Sequence, residues 1–237
     1  MFGFAYEISS YGSKMLFRDM VDVMEEQKMK NVLIDSLIKC GYMKNPKSYG
    51  GTRYQVKTTK DSVTFYFCGV WEGLQFIRCF DFRARWYESK AAKYKVHGGF
   101  VDAFEKFVDK FDEYILAKEN DRYRYKNIYI YGCSYGGALA MLLHEHAMAV
   151  RPDVRTKTYV LEVPKIFSKI DRIFHYRFTG LTIINMQHSL VSWLHPFRKN
   201  PVRAIKLKND YRFGLEAHYP ENIVKVIDEN AHLLMLN

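Results

Sequence analysis

A chain of 237 residues, 48% of them hydrophobic and 16% aromatic, is long enough to bury one sizeable core. It holds no repeat, low-complexity run or Pro/Ser-rich linker, which excludes disordered and solenoid architectures and leaves a single domain over 1–237. The net charge of +10 brings in acidic partners, either anionic lipid surfaces or nucleic acid, but the cations are scattered, with only modest clusters at 122–126 and 198–208. A solvated surface accounts for most of them, so a nucleic-acid partner is not expected.

The chain opens without a basic segment followed by a long apolar run, and no stretch approaches the roughly 18 apolar residues that span a bilayer. Cys40, Cys68, Cys79 and Cys133 are irregularly spaced and form no C-x-x-C pair. These features predict reduced thiols in a cytoplasmic protein, with any delivery elsewhere following a non-classical route.

Met15, Leu16, Met20, Val23 and Met24, then Val32, Leu33, Leu37 and Ile38, recur at helical spacing, and Gly41 ends the pattern. The first 50 residues are therefore expected to be a helical segment packed on the domain. Turn signals at Asn45-Pro46 and Tyr49-Gly50-Gly51 precede two predicted strands, Tyr54 to Lys57 and Ser62 to Phe67, joined as a hairpin across 59–61. The second strand runs into Cys68-Gly69-Val70. The aromatic-rich stretch after it, within 71–90, reads either as a packed amphipathic element or as a substrate-covering lid. Val96-His97-Gly98-Gly99-Phe100 then predicts a turn opening one helix, with apolar residues at Val101, Phe104, Phe107, Val108 and Phe111.

The most informative stretch is KNIYIYGCSYGGALAMLL, from Lys126 to Leu143. Ile128 to Tyr131 reads as a buried strand, helix formers follow at once, and Gly132-Cys133-Ser134-Tyr135-Gly136 lies between them. G-x-S-x-G between strand and helix is a nucleophile elbow: the serine sits on a strained turn, and small residues two before and two after it let strand and helix approach. The new helix offers N–H groups and a positive dipole end to a developing oxyanion. Thr158 to Val163 and Thr182 to Asn185 are further β-rich runs, so strand and helix alternate and a mostly parallel sheet with helices on both faces is predicted. Active residues then belong at strand C-terminal ends.

A serine nucleophile needs a base and an acid that orients the base. His218, in a late loop just before a helix started by Pro220 and Glu221, is the best-placed base. His144 and His146 lie on the elbow helix, while His175, His188 and His195 stay open on spacing alone.

Together these residues resemble the class 3 lipases, related to fungal triacylglycerol lipases. F-C-G-V stands where the family has F-R-G-T/S, V-H-G-G-F resembles V-H-x-G-F, and G-C-S-Y-G-G-A-L-A resembles G-H-S-L-G-G-A-L-A. L-E-V-P-K, H-S-L-V-S-W-L-H-P and A-H-Y-P-E-N-I follow in the family's order, so the likeness spans about 54–230. His97-Gly98-Gly99 is also similar to the H-G-G-G oxyanion loop of another esterase branch. Phe100 and the later blocks fit the class 3 pattern better, which makes His97 and its glycines turn-forming.

The sequence shows no metal cluster, phosphate-binding loop or dinucleotide fingerprint, so no cofactor or metal is expected. The resemblance implies the α/β-hydrolase fold, Ser134 as nucleophile, His218 as general base, and the backbone N–H groups of Tyr135 and Val70 as oxyanion hole. Three positions depart from the family. Val70 replaces a Ser/Thr whose hydroxyl is a donor, a loss that typically costs about 10²–10³ in rate. Cys68 replaces an arginine and removes an ion pair. Ser189 occupies the position of the catalytic aspartate, and loss of a triad acid costs about 10⁴. Glu162, at the end of the preceding strand where the family has glycine, is the candidate surrogate. The expected function is hydrolysis of lipid or other acyl esters through an acyl-enzyme on Ser134, with peripheral contact to anionic membrane surfaces. The alternative is a catalytically impaired lipase-like protein that binds lipid or a partner.

Overall fold

The computed structural model describes residues 27–210 and 220–233, apart from 29, 37, 41–42, 44–45, 70–77, 82, 91, 171, 192–193 and 231. The described residues between 27 and 40 are helical (α1). After them come β1 (Lys47–Tyr49), β2 (Thr52–Thr58), β3 (Ser62–Phe67), β4 (Ala84–Ser89), β5 (Ala92–His97), α2 (Gly98–Phe104) and α3 (Val108–Ile115). A small hairpin, β6 (Lys118–Glu119) with β7 (Arg122–Tyr123), leads to β8 (Asn127–Cys133) and α4 (Tyr135–Val150). The chain continues through β9 (Arg155–Leu161), β10 (Phe167–Lys169), a 3-10 turn at Arg172–Phe178, β11 (Leu181–Met186), β12 (Ile205–Leu207) and α5 (Pro220–Glu229).

Among the described residues seven strands form the central sheet, in the order β1-β2-β3-β8-β9-β11-β12. The β1-β2-β3 edge is antiparallel and every pairing from β3 onward is parallel. The β2–β3 hairpin turns across Thr59, as its turn residues predict, with Thr59 N–H donating to Ser62 O at 2.9 Å. Period-two alternation sends Val63, Phe65, Phe67, Ile128 and Ile130 to one face, where they meet Phe104, Phe107, Phe111 and the apolar body of α4. The opposite face, with Tyr66, Tyr131 and Leu161, is covered by Leu33 of α1 and by Ile223, Val226 and Ile227 of α5. Burying both faces explains why β8 reads as a nearly continuous apolar run.

Three expectations change. The single helix predicted from 101 is two, because the chain leaves helical geometry at Phe107 (φ −125°, ψ −8°) and restarts at Val108. Both halves keep their phenylalanines in one cluster, so the apolar spacing survived the break. The turn predicted at Val96 to Phe100 is instead a direct junction, with Val96-His97 ending β5 and Gly98-Gly99-Phe100 beginning α2. β4 and β5 pair along their whole length and β10 adds to β5, giving a second sheet in the order β10-β5-β4. Thus 84–89, within the candidate lid stretch, is strand, whereas 70–77 and the predicted helical residues 13–26 lie outside the described residues. Burial alternates along β4, with Tyr87 and Ser89 inward and Trp86 and Glu88 outward.

Candidate active site

β8 is the central strand, and Ser134 leaves it with φ 55° and ψ −124°, a conformation that L-residues adopt at a cost of order 1–3 kcal/mol. Sterics explain its neighbours. A Cβ on Gly132 would come within 2.5 Å of Gly136 O, and one on Gly136 within 2.2 Å of Cys68 O. The two motif glycines are therefore required where the strand end, the helix start and β3 converge. Ser134 N–H donates to Leu161 O at 2.9 Å, tying the turn to β9, and Gly137 and Ala138 N–H groups donate to Ser134 O at 3.0 and 3.2 Å as α4 begins. The Ser134 hydroxyl makes no helix-capping bond. Its side chain is half-buried and Gly69 lies against it, 3.7 Å from Ser134 Cβ to a Cβ built there.

Tyr135, the first residue of α4, has its ring buried against Phe100, 5.5 Å between centroids. Its backbone N–H belongs to the first helical turn, which has no intrahelical acceptors. Cys40 and Cys133 share one core cluster, and Cys68 Sγ is 3.7 Å from Met43 Sδ. Burial pushes the Cys68 thiol up to about 11, and burial together with the Glu162 carboxylate pushes Cys133 up to about 12. Both stay protonated at neutral pH, so neither thiol is activated as a nucleophile.

Glu162 and Ser189 are brought to the same place. Glu162 is 1% exposed and has φ 49°. Its N–H donates to Ile184 O at 2.8 Å, and its Oε1 accepts the N–H of Met186, at the end of β11. Asn185 holds the next residue, accepting Val163 N–H at 2.9 Å. Ser189 is also 1% exposed; its N–H donates to Met186 O at 3.4 Å and its Oγ accepts Val191 N–H at 3.2 Å. Met186 thus joins the expected acid position to the candidate surrogate. Val70 and His218 lie outside the described residues.

His175 and His188 are exposed, and four other histidines are engaged elsewhere. His144 is buried with Nδ1 2.8 Å from Thr158 Oγ1, and burial lowers it to about 4. His146 Nε2 is 2.7 Å from Asp112 Oδ1 of α3. The His97 and His195 rings are both buried, with centroids 4.4 Å apart and planes inclined at 58°. This pair joins the V-H-G-G-F and H-S-L-V-S-W-L-H-P blocks, and nothing in the spacing of either block announced it. Arg78, also missed, is buried and donates to Gly50 O at 3.2 Å, and its carbonyl lies where a Cβ on Gly99 would be, 2.2 Å away. Close approach therefore accounts for Gly99. Among the described residues no group of three His, Cys, Asp or Glu side chains is arranged to hold a metal ion, and no helix is long and apolar enough to cross a membrane.

A strained serine between a central parallel strand and a helix, on a mixed sheet with helices on both faces, defines an α/β-hydrolase. The profile described as Lipase (class 3) matches residues 64–185, just over half of the chain, and the protein belongs to that family of carboxylester hydrolases. Among solved structures, a propeptide complex of Rhizomucor miehei lipase is similar at 15% identity, with 79% of this chain and 67% of that one covered and a TM-score of 0.56. Rhizomucor miehei triacylglyceride lipase is similar at 16% identity over 78% and 79% of the two chains, TM-score 0.55. A Penicillium expansum triacylglycerol lipase is similar at 17% identity over 72% and 69%, TM-score 0.50. Comparison with curated proteins gives no match.

Proposed function

We propose that the protein hydrolyses lipid or other acyl esters through an acyl-enzyme on Ser134, with His218 as general base and Glu162 as the acid that orients it. In this reading His218 accepts the Ser134 Oγ proton as Oγ attacks the ester carbonyl. The backbone N–H groups of Tyr135 and Val70 stabilise the oxyanion, and His218 returns the proton to the leaving alcohol. Water, deprotonated by the same histidine, then releases the acid and frees Ser134.

The observation that carries the reading is the strained Ser134 elbow between Gly132 and Gly136. Support for Glu162 comes from its left-handed φ of 49°, its burial, and its place one strand from Ser134. A non-glycine residue held in that conformation where the family has glycine carries a strain that a merely solvated glutamate would not need. The four free cysteines fit action in a reducing compartment such as the cytoplasm, and the +10 charge fits peripheral contact with anionic membrane surfaces.

Hydrolysis of short- and long-chain esters by the wild type, lost in Ser134→Ala and in His218→Ala, tests the proposal; activity that survives both substitutions removes it. The uncharged Ser189 favours a second reading, a catalytically impaired protein that binds lipid or a partner. A large gain in rate with Ser189→Asp would show a site complete except for its acid and would leave Glu162 with no part in orienting His218.

A further inference from the structure

β9 and β11 pair in parallel register from Thr158↔Leu181 to Leu161↔Ile184. One rung further on, side chains take over from the backbone. In a regular parallel ladder a residue donates its N–H to one strand neighbour and accepts, on its own carbonyl, the N–H two residues along. Glu162 makes the first bond, its N–H donating to Ile184 O at 2.8 Å. Its backbone is left-handed (φ 49°), and the N–H of Met186 goes instead to Oε1 of the Glu162 carboxylate.

Asn185 makes the matching exchange from the other strand. Its Oδ1 accepts Val163 N–H at 2.9 Å and its Nδ2 donates to Val163 O at 3.4 Å. A backbone N–H can only donate, so the amide has one orientation here. Glu162, Val163 and Asn185 are 1%, 0% and 4% exposed. The left-handed turn at Glu162 carries Val163 out of the ladder, and Asn185 bonds both of its backbone groups. Without that amide, the buried N–H of Val163 loses its acceptor and the strained residue before it is free to relax toward an ordinary φ.

We infer that Asn185 is a positioning residue for the ester chemistry: by clamping Val163 it holds Glu162 in the conformation that presents its carboxylate to the base. This rests on the reading of Glu162 as the orienting acid and names what keeps that acid in place.

The test is a double-mutant cycle on hydrolysis of a soluble short-chain ester, with kcat, KM and denaturant unfolding measured for the wild type, Asn185→Ala, Glu162→Gln and the double variant. Asn185→Ala should lower kcat about 10²-fold with KM nearly unchanged, the effect expected of a displacement of about 1 Å. In the Glu162→Gln background no carboxylate remains to be placed, and the same substitution should change kcat by no more than about twofold. Asn185→Asp keeps the oxygen that accepts Val163 N–H; its kcat should fall by less, and that loss should likewise vanish with Glu162→Gln. Asn230 supplies the control. It is also buried and clamps Lys208 in the same two-way manner, accepting its N–H at 3.2 Å and donating to its O at 3.0 Å, just past β12 at the sheet edge. Asn230→Ala should lose stability and keep the wild-type kcat.

Equal losses from Asn185→Ala in both backgrounds, no loss in either, or the same loss in Asn230→Ala overturns the inference and leaves Glu162 as the acid. Failure of both Asn185 variants to fold assigns the residue to the fold alone and also overturns it. Unchanged kcat in Glu162→Gln removes the acid assignment and the inference with it, and a wild type that hydrolyses no ester removes the ester-hydrolase reading as well.

Discussion

The buried pair His97 and His195 makes the fold sensitive to acid. Burial, the neighbouring imidazole and Arg198 lower His97 to about 3, against the opposing pull of Asp81 and the Cys79 backbone, while burial and Arg198 lower His195 to about 4. In the unfolded chain both return to the ordinary value of about 6.5. Between these limits the unfolded state binds up to two more protons than the folded state, so stability falls as pH drops below about 6.5 and keeps falling to about 3. At pH 5 each histidine withdraws about 2 kcal/mol, and the pair about 4 kcal/mol at most, a large part of a typical domain's stability of roughly 5–15 kcal/mol. Urea unfolding of the wild type and of His195→Phe at pH 8, 6.5 and 5 isolates the effect, because the carboxylates change alike in both proteins. The variant should lose about half as much of this stability between pH 8 and 5. Parallel pH curves for the two proteins would refute the reasoning.

Glu162→Gln should lower kcat by about 10³–10⁴ with little change in KM, read by steady-state kinetics, because the amide cannot stabilise an imidazolium. Gly136→Ala should abolish both activity and labelling of Ser134, since its Cβ would lie 2.2 Å from the backbone oxygen of Cys68, which cannot move without shifting β3. Arg177→Met should cost about 3–5 kcal/mol in denaturant unfolding. It strands the fully buried Glu145, whose carboxylate Arg177 meets at 2.8 Å while also donating to Ser89 O and Lys90 O. Glu145→Gln combined with Arg177→Met should recover part of that loss.

Where the sequence was legible, local physics and tertiary packing demanded the same residues. β8 and the elbow could be read because a strand buried on both faces must be apolar, and a turn so tight leaves room only for glycine at Gly132 and Gly136. The break at Phe107 was hidden because α2 and α3 present phenylalanines to a single cluster, so helical spacing continues through a non-helical residue. β4 and β5 were obscured for another reason. Their outward residues include Trp86 and their inward ones include Ser89, which blurs the alternation that marks a half-buried strand. Glu162 was placed at a strand end by order in the chain, but its left-handed backbone and its bond to Met186 depend on the β9–β11 pairing. The same holds for His97 and His195, which lie nearly a hundred residues apart in the chain yet meet in the fold.

Ser134 as a working nucleophile is the central claim, and covalent labelling tests it most directly. The full chain is treated with a fluorophosphonate and the adduct is mapped by peptide mass spectrometry. Stoichiometric phosphonylation is expected on Ser134, lost in His218→Ala and strongly slowed in Glu162→Gln. A folded wild-type protein that takes up no label at Ser134, or takes it up equally in His218→Ala, would contradict that claim.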